Sequence, residues 1–330
     1  MQKQVSIIVP FHGETEAQLG ICLSSINNQI GIDFKQVEVI LIGDGGLKVD
    51  DQDPFPYLAN LDIKIYEYDV VKGPGFARSM GMFMATGKYF MFVDADDQLH
   101  YVGALLDFFN AIKHGDHQVI IGRYINQIRN DQGDFKYYTH GYNDWNVAYA
   151  KWFNRDYLDS IKLSWSERLQ VHEDTYFVST ACELATDIAT FNPIVYTHLW
   201  NEHSITHEDD GQKVHRQLDQ WVFAKRLYLA RLRSTGQRTL RPITWTTWPT
   251  FTCGIKHPHR STLKPSGRNT TSYSLNLPIS GNKSKIICQM PSMHGFRAIS
   301  AIVPSPPRAW VNLSSHKMLY YKNMPPRYDR

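Results

Sequence analysis

The first 125 residues alternate short apolar runs with amphipathic segments. The runs that predict strands are residues 5–10, 37–43, 62–68, 89–93 and 118–124. The segments that predict helices are residues 14–29, 73–85 and 102–114, the first with apolar positions at the three-and-four spacing of a helix face. Strands that alternate with helices favour an α/β fold with a doubly wound, mostly parallel sheet flanked by helices.

The pattern is less regular after residue 140, where aromatic residues become frequent. Residues 173–184 predict a helix, and residues 187–196 predict one or two short strands. Apolar positions from Val214 to Leu232 then predict an amphipathic helix with Lys and Arg on its other side. Beyond residue 235 there is no sustained periodicity.

Composition changes at the same point. Residues 236–330 contain 14 Lys and Arg against one acidic residue, a net charge of +13, and 11 of the 16 prolines. Residues 1–235 carry 21 basic and 31 acidic residues, a net charge of −10. We therefore predict a domain over residues 1–235, with halves of about 1–125 and 126–235. The rest is interpreted as a basic Pro/Ser/Thr-rich tail that is disordered, translated out of frame, or bound to an anionic surface.

Targeting signals and cysteine frameworks are not evident. The apolar run from Val5 to Val9 is too short for a signal peptide or a membrane span and predicts a buried strand. The four cysteines are scattered without a CxxC pair, which favours reduced thiols over a zinc site or disulfides. The expected location is cytoplasmic, with peripheral contact at the inner membrane face left open.

Acidic residues follow the predicted strands, at Glu14, Asp44 and Asp94 to Asp97. In doubly wound sheets, ligands bind beyond the carboxyl ends of the strands. Asp94 and Asp96 stand at i and i+2 after a buried strand, so both can reach one Mg²⁺ or Mn²⁺ ion that also binds substrate phosphates. The alternative is a helix N-cap, for which one Asp is enough.

Two further segments carry candidate chemistry. Residues 73–89 begin Gly-Pro-Gly and place Arg78 on the first helical turn, where it could face a phosphate or a base. Glu173 and Asp174 stand at a predicted helix start, and a carboxylate there could act as a general base. The alternative for this pair is a favourable interaction with the helix dipole.

Taken in order, these motifs resemble family 2 glycosyltransferases with the GT-A nucleotide-sugar fold. The resemblance rests on Val-Ser-Ile-Ile-Val-Pro at the start, Asp44-Gly-Gly, Gly-Pro-Gly-x-Ala-Arg, Ala-Thr-Gly-Lys-Tyr, Phe-Val-Asp-Ala-Asp-Asp and His172-Glu-Asp. It covers roughly residues 4 to 230. His12-Gly13 and Ser79 depart from the family's usual residues and put the base and sugar preference in question.

The resemblance implies roles for these residues. The donor would be bound by Pro10, Phe11, Glu14, Asp44, Arg78, Asp94 and Asp97, with Asp44 at the base and Arg78 at the nucleotide. The metal would be held by Asp96 and Asp94, with His198 or His203 as a further ligand. Asp174, with Glu173 beside it, would be the catalytic base.

The predicted function is therefore an inverting, metal-dependent transfer of a sugar from a UDP-type donor to a glycan or glycolipid hydroxyl. One alternative is a sugar-phosphate nucleotidyltransferase. Another is a catalytically degenerate protein that binds polyanions or a membrane through its basic tail. No specific nucleic-acid partner is expected.

Overall fold

The computed structural model describes residues 3–45, 55–130, 132–201 and 211–235, and the strands at residues 270–276 and 285–291. For residues 211–217 and these two strands only the backbone is described. The chain divides into two compact units, Met1–Thr247 and Trp248–Arg330.

The amino-terminal half is a parallel α/β layer. Its strands are β1 (Val5–Phe11), β2 (Val37–Asp44), β3 (Ile63–Tyr68) and β4 (Tyr89–Phe92), and its helices are α1 (Glu16–Asn27) and α2 (Pro74–Met84). The strands lie in the order β3-β2-β1-β4, and every neighbouring pair is parallel. Each predicted strand and helix of this half is present.

The second half extends this sheet with strands of mixed direction. Its elements are β5 (Gln98–Leu99), α3 (Ala104–Ala111), β6 (Val119–Arg129), β7 (Phe135–His140), β8 (Lys151–Asn154), α4 (Arg155–Ser160), α5 (Glu173–Leu184), β9 (Ile188–His198) and α6 (Gly211–Ser234). The order continues β4-β8-β6-β9-β5, and β7 pairs with β6. The sequence pattern gave no strand at β7 or β8, and β8 lies antiparallel between β4 and β6.

Helices cover both faces of the sheet. Successive strand residues point to opposite faces, so each strand contributes side chains to both cores. Ile7 and Val9 face a core formed with α1 and α3, whereas Ile8 faces a core formed with α2, α4 and α5. Helix α6 packs on α5 through Tyr228 and Leu232 against Leu184. Nearly continuous apolar strands are the pattern expected of a sheet buried on both faces.

The parallel strands place their carboxyl ends at one edge. β1 ends at Phe11, β2 at Asp44 and β4 at Phe92, two residues before Asp94. Helix α1 starts beside this edge with Thr15 as its cap, whose side chain accepts from the Gln18 N–H while the Gln18 side chain accepts from the Thr15 N–H. This edge therefore gathers the acids singled out in the sequence.

The second unit contains an antiparallel pair of strands, β10 (Thr270–Asn276) and β11 (Lys285–Pro291). The sequence pattern predicted no regular structure in these residues. The remaining part of the predicted tail lies outside the described residues. Among the residues that the structure describes, none of the helices combines the length and apolar character needed to cross a membrane.

Candidate active site

The turn after β4 holds two acids toward solvent and one inside the protein. Asp94 and Asp96 are partly exposed, whereas Ala95 and Asp97 are buried. The Asp97 N–H donates to the Asp94 carbonyl at 3.1 Å, and the Asp94 N–H donates to the Tyr196 hydroxyl at 3.0 Å. Hydrogen bonds of its backbone thus fix the turn. Of its three carboxylates, those of Asp94 and Asp96 are partly exposed.

Asp97 acts inside the fold. Its side chain accepts from the Tyr196 hydroxyl at 2.7 Å and from the Leu199 N–H at 2.8 Å, and the residue is 1% exposed. Burial, and then the charges of Asp94 and Asp96, raise the pKa of Asp97 well above its usual value. Asp97 thus ties the end of β9 to the turn, and its predicted donor contact stays a prediction.

Arg78 is buried between the two acidic segments. Its Nη2 contacts Asp94 Oδ1 at 2.7 Å and its Nη1 contacts Glu173 Oε1 at 2.7 Å. The guanidinium also lies 5.0 Å from the ring of Trp165, a cation–π geometry. The predicted nucleotide contact of Arg78 is not supported by this position, because both terminal nitrogens are bound to carboxylates of the chain itself.

The start of α5 presents the two predicted catalytic acids differently. His172 precedes the helix with a left-handed backbone (φ 61°), after which Glu173 is buried against Arg78 while Asp174 remains partly exposed. Burial raises the pKa of Glu173 despite the Arg78 charge. Burial and the charge of Glu173 raise the pKa of Asp174 to about 8, although Arg78 and the Thr175 N–H, 2.6 Å away, act to lower it. A carboxylate with this pKa is suited to general base catalysis near neutral pH.

Asp44 organises the loop before α2. Its two carboxylate oxygens accept from the Lys72 and Gly73 N–H groups, each at 2.7 Å. The His12 ring contacts the Asp44 carbonyl. Each carboxylate oxygen keeps a second lone pair, so contact between Asp44 and a donor base stays a prediction.

The β1 loop contributes Glu14 and Pro10 at the surface. The Glu14 carboxylate accepts from the His12 N–H at 2.5 Å, and burial raises the pKa of Glu14. Pro10 is partly exposed, but Phe11 is buried beside Gly43. The predicted donor contact is therefore not supported for the Phe11 ring, whereas those of Pro10 and Glu14 stay predictions.

The predicted metal ligands do not form a complete protein cage. Among the described residues there is no group of three or more His, Cys, Asp or Glu arranged to hold a metal ion. His198 Nδ1 lies 2.8 Å from Asn126 Oδ1, so its metal role stays a prediction, and His203 lies outside the described residues. Asp94 and Asp96 fit a hard cation that takes most of its oxygens from phosphate and water.

Three supporting side chains were missed by the sequence analysis. Tyr196 joins the Asp94 and Asp97 turn to β9, and Trp165 lies beneath Arg78 while stacking on Phe177 at 4.1 Å. Asn201 donates to Asp96 Oδ2 at 2.7 Å. Tyr196 follows Asp97 by 99 residues and Asn201 follows Asp96 by 105, so no local pattern could have paired them.

Known proteins resemble this chain in sequence and fold. Glycosyltransferase GlyG of Streptococcus pneumoniae serotype 4 is 27% identical over 143 residues, which is 43% of this chain and 45% of that protein. The chain therefore spans about half the length of this relative. The family model for glycosyl transferase family 2 matches residues 6–175.

Solved structures confirm the predicted fold. TarS 1–349 of S. aureus in complex with UDP superposes with a TM-score of 0.53 at 18% identity, covering 69% of this chain and 65% of that one. The same fragment with UDP-GlcNAc gives a TM-score of 0.53 at 18% identity, covering 70% and 73%. Identity at this level supports the GT-A type architecture alone. The family model matches more than half of this chain, and the chain therefore belongs to glycosyl transferase family 2.

Proposed function

We propose that the chain transfers a sugar from a nucleoside diphosphate sugar of the UDP type to a hydroxyl of a glycan or glycolipid, inverting the anomeric carbon. The observation that carries this proposal is the Arg78 network, which joins the strand-end acids to the start of α5. Asp94 and Glu173 are both held at 2.7 Å by one buried guanidinium. Family membership and the UDP bound in the TarS fragment support the choice of donor.

The donor would bind at the carboxyl edge of β1, β2 and β4. The Asp44-capped loop and the Pro10 to Glu14 loop flank this edge, and Asp94 and Asp96 present partly exposed carboxylates there. Asp94 and Asp96 would hold a divalent cation, whose bound charge would offset the charge of the diphosphate. Asn201, three residues after the end of β9, donates to Asp96 Oδ2 and would orient that carboxylate.

Asp174 would perform the chemistry as a general base. The acceptor oxygen forms a bond to the anomeric carbon while the bond from that carbon to the diphosphate oxygen breaks. The hydroxyl proton passes to the Asp174 carboxylate, and the electron pair of the broken bond leaves with the nucleoside diphosphate. A single base is enough for this direct displacement, so no covalent enzyme intermediate is required.

Nucleotide binding tests the donor site. We expect UDP with Mn²⁺ to bind in calorimetry and to raise the melting temperature, and GDP to bind more weakly. Asp96→Asn removes a cation ligand, and we expect at least a tenfold loss of UDP affinity, about 1.4 kcal/mol or more. Asp156→Asn, at an exposed acid on α4, is the matched control and should bind UDP like the wild type.

Two results would contradict this proposal. One is a folded wild-type protein that binds neither nucleotide with Mn²⁺. The other is an Asp96→Asn variant that binds UDP as tightly as the wild type. Preferential binding of a nucleoside triphosphate would instead favour the nucleotidyltransferase alternative. Binding of anionic polymers that is unaffected by UDP would favour the role proposed for the basic tail.

A further inference from the structure

The hydroxyl of Tyr196, near the end of β9, binds both ends of the acidic turn at residues 94–97. It accepts a hydrogen bond from the Asp94 N–H at 3.0 Å and donates one to Asp97 Oδ2 at 2.7 Å. Tyr196 is 0% exposed and Asp97 is 1% exposed. A hydroxyl can accept and donate at the same time, so this single buried group fixes the first and the last residue of the turn.

Two residues that follow β9 add further contacts with the same turn. The Leu199 N–H donates to Asp97 Oδ1 at 2.8 Å, and the Asn201 side-chain amide donates to Asp96 Oδ2 at 2.7 Å. We call Tyr196, Leu199 and Asn201 the β9 support. Through these hydrogen bonds the β9 support holds the backbone of the turn, its buried acid and one of its two partly exposed acids.

The β9 support and Arg78 hold different parts of the proposed cation site. Arg78 binds the Asp94 carboxylate at 2.7 Å, whereas the β9 support binds the Asp94 N–H and the Asp96 carboxylate. Only two protein carboxylates are proposed as ligands, so their relative orientation determines how well they bind one cation. Hydrogen bonds that orient metal ligands commonly change metal affinity by about 10–100-fold.

The ring and the hydroxyl of Tyr196 have separate contacts. The ring lies in the core and stacks on Tyr149 at 4.5 Å. Both hydrogen bonds of the hydroxyl go to the turn. Removal of the hydroxyl alone therefore keeps the ring packing, but takes one partner from the Asp94 N–H and one from the Asp97 carboxylate.

We propose that Tyr196 is a positioning residue for the cation site, and that its hydroxyl, with the rest of the β9 support, fixes the turn so that Asp94 and Asp96 can hold one divalent cation. The inference rests on the proposed function, in which that cation binds the donor diphosphate. Tyr196 acts through the turn, because its own side chain is buried. The end of β9, 99 residues after Asp97, is thereby part of the donor site.

The test compares Tyr196→Phe with a matched control, Tyr124→Phe. Tyr124 is also buried and also contacts Tyr149, edge-on at 4.9 Å. Its hydroxyl also donates to a carboxylate, that of Asp144, at 2.6 Å. Both variants therefore lose one hydroxyl that binds a carboxylate, but only Tyr196→Phe loses a contact with the turn.

Three quantities are measured on the full-length proteins: binding of Mn²⁺ alone, followed by its electron paramagnetic resonance signal, and calorimetric binding of UDP with and without Mn²⁺. In Tyr196→Phe we expect the affinity for Mn²⁺, and the affinity for UDP in its presence, to fall about tenfold or more. The affinity for UDP without Mn²⁺ should equal that of the wild type.

The control variant should bind Mn²⁺ and UDP like the wild type. The melting temperature should fall in both Tyr196→Phe and Tyr124→Phe, because each leaves a buried acceptor without its donor. A loss confined to binding that involves Mn²⁺ is therefore the result that a merely structural role of Tyr196 would not produce. If Tyr196→Phe does not fold, Asn201→Ala removes another contact of the β9 support and should give the same loss.

Three results would overturn the inference. The first is a wild type in which Mn²⁺ neither binds nor changes the affinity for UDP. The second is wild-type affinity for Mn²⁺ in Tyr196→Phe, or in Asn201→Ala where that variant replaces it. The third is an equal loss of UDP affinity with and without Mn²⁺. Tyr196-dependent binding of Mn²⁺ in a protein that binds no UDP would instead contradict the proposed function and support the positioning role.

Discussion

Two acids near opposite edges of the sheet, buried Glu38 and partly exposed Asp174, have opposite surroundings. Glu38, in the first half of β2, is fully buried and receives hydrogen bonds from Ser6 (2.5 Å), Lys64 (2.6 Å), the Thr86 N–H (2.6 Å) and hydroxyl (2.9 Å), and Gly87 (3.2 Å). Burial acts to raise the pKa of Glu38, but these bonds outweigh it and lower the pKa to about 2.

At the carboxyl edge the balance is reversed. The Asp174 carboxylate accepts one hydrogen bond, from the Thr175 N–H, but burial and the charges of Glu173 and Asp94 raise its pKa to about 8. The charge of Glu38 is thus compensated by hydrogen bonds and stabilises the fold. The carboxylate of Asp174 is less well compensated and is able to accept a proton. Sites of catalysis commonly carry this kind of perturbed group.

The largest effect is expected at Asp174. Asp174→Asn removes the base, and we expect release of UDP from the bound UDP-sugar to fall about 10²–10⁴-fold. In the wild type this rate should rise with pH up to about 8, the pKa of Asp174. Because this folded pKa lies above the unfolded one, ionised Asp174 lowers stability as pH rises through this range.

The same variant should be more stable than the wild type at pH 8, by about 2 kcal/mol in urea unfolding. UDP affinity should stay unchanged, as the control for an intact donor site. A wild-type rate, or a rate independent of pH between 6 and 9, would remove Asp174 from the mechanism.

The next largest effect is expected at Arg78, which links the turn of Asp94 to the start of α5. Arg78→Met leaves Glu173 and Asp94 without their cation, and we expect the free energy of unfolding to fall by about 3–5 kcal/mol. Lys cannot reproduce two contacts in a planar fork, so Arg78→Lys should recover only part of this loss. Urea unfolding at pH 7 measures both variants.

A double variant separates the pair from general damage to the core. In Arg78→Met with Glu173→Gln, the uncompensated charge of Glu173 is removed, so the loss should be smaller than the sum of the single losses. Additive losses would mean that Arg78 and Glu173 are not energetically coupled. That result would contradict the link that we assign to Arg78 between the Asp94 turn and the start of α5.

The smallest effect concerns the amino end. Glu38→Gln removes a charge with a folded pKa of about 2 and an unfolded value of 4.5. A depressed folded pKa stabilises above the unfolded value, by about 3 kcal/mol here, and this contribution is lost as pH falls from about 4.5 to 2. The wild type and variant should therefore differ at pH 7 and converge near pH 2, with no change in UDP affinity. A stability difference that is constant from pH 7 to 2 would contradict the assignment.

The sequence determined the parallel half of the fold. Helix α5 begins and ends at the predicted residues, and β1, β2, β3 and β4 lie within a residue or two of their predicted bounds. Apolar runs and helical spacing are local properties, and acids after parallel strands must meet at one edge. The same reasoning placed Asp44, Asp94 and Asp96 at that edge, whereas Asp174 was singled out by the predicted helix start and by the family resemblance.

Only the tertiary structure decided which of these side chains are buried and which are partly exposed. Arg78 was predicted to face the nucleotide, but Glu173, 95 residues away, lies close enough to bind it. Asp97 is turned inward by Tyr196, and β8 enters the sheet between β4 and β6. Such pairings depend on contacts between distant segments and on the high free-energy cost of a buried charge without a partner. The hydrophobic periodicity of the chain reports only local structure and cannot predict either.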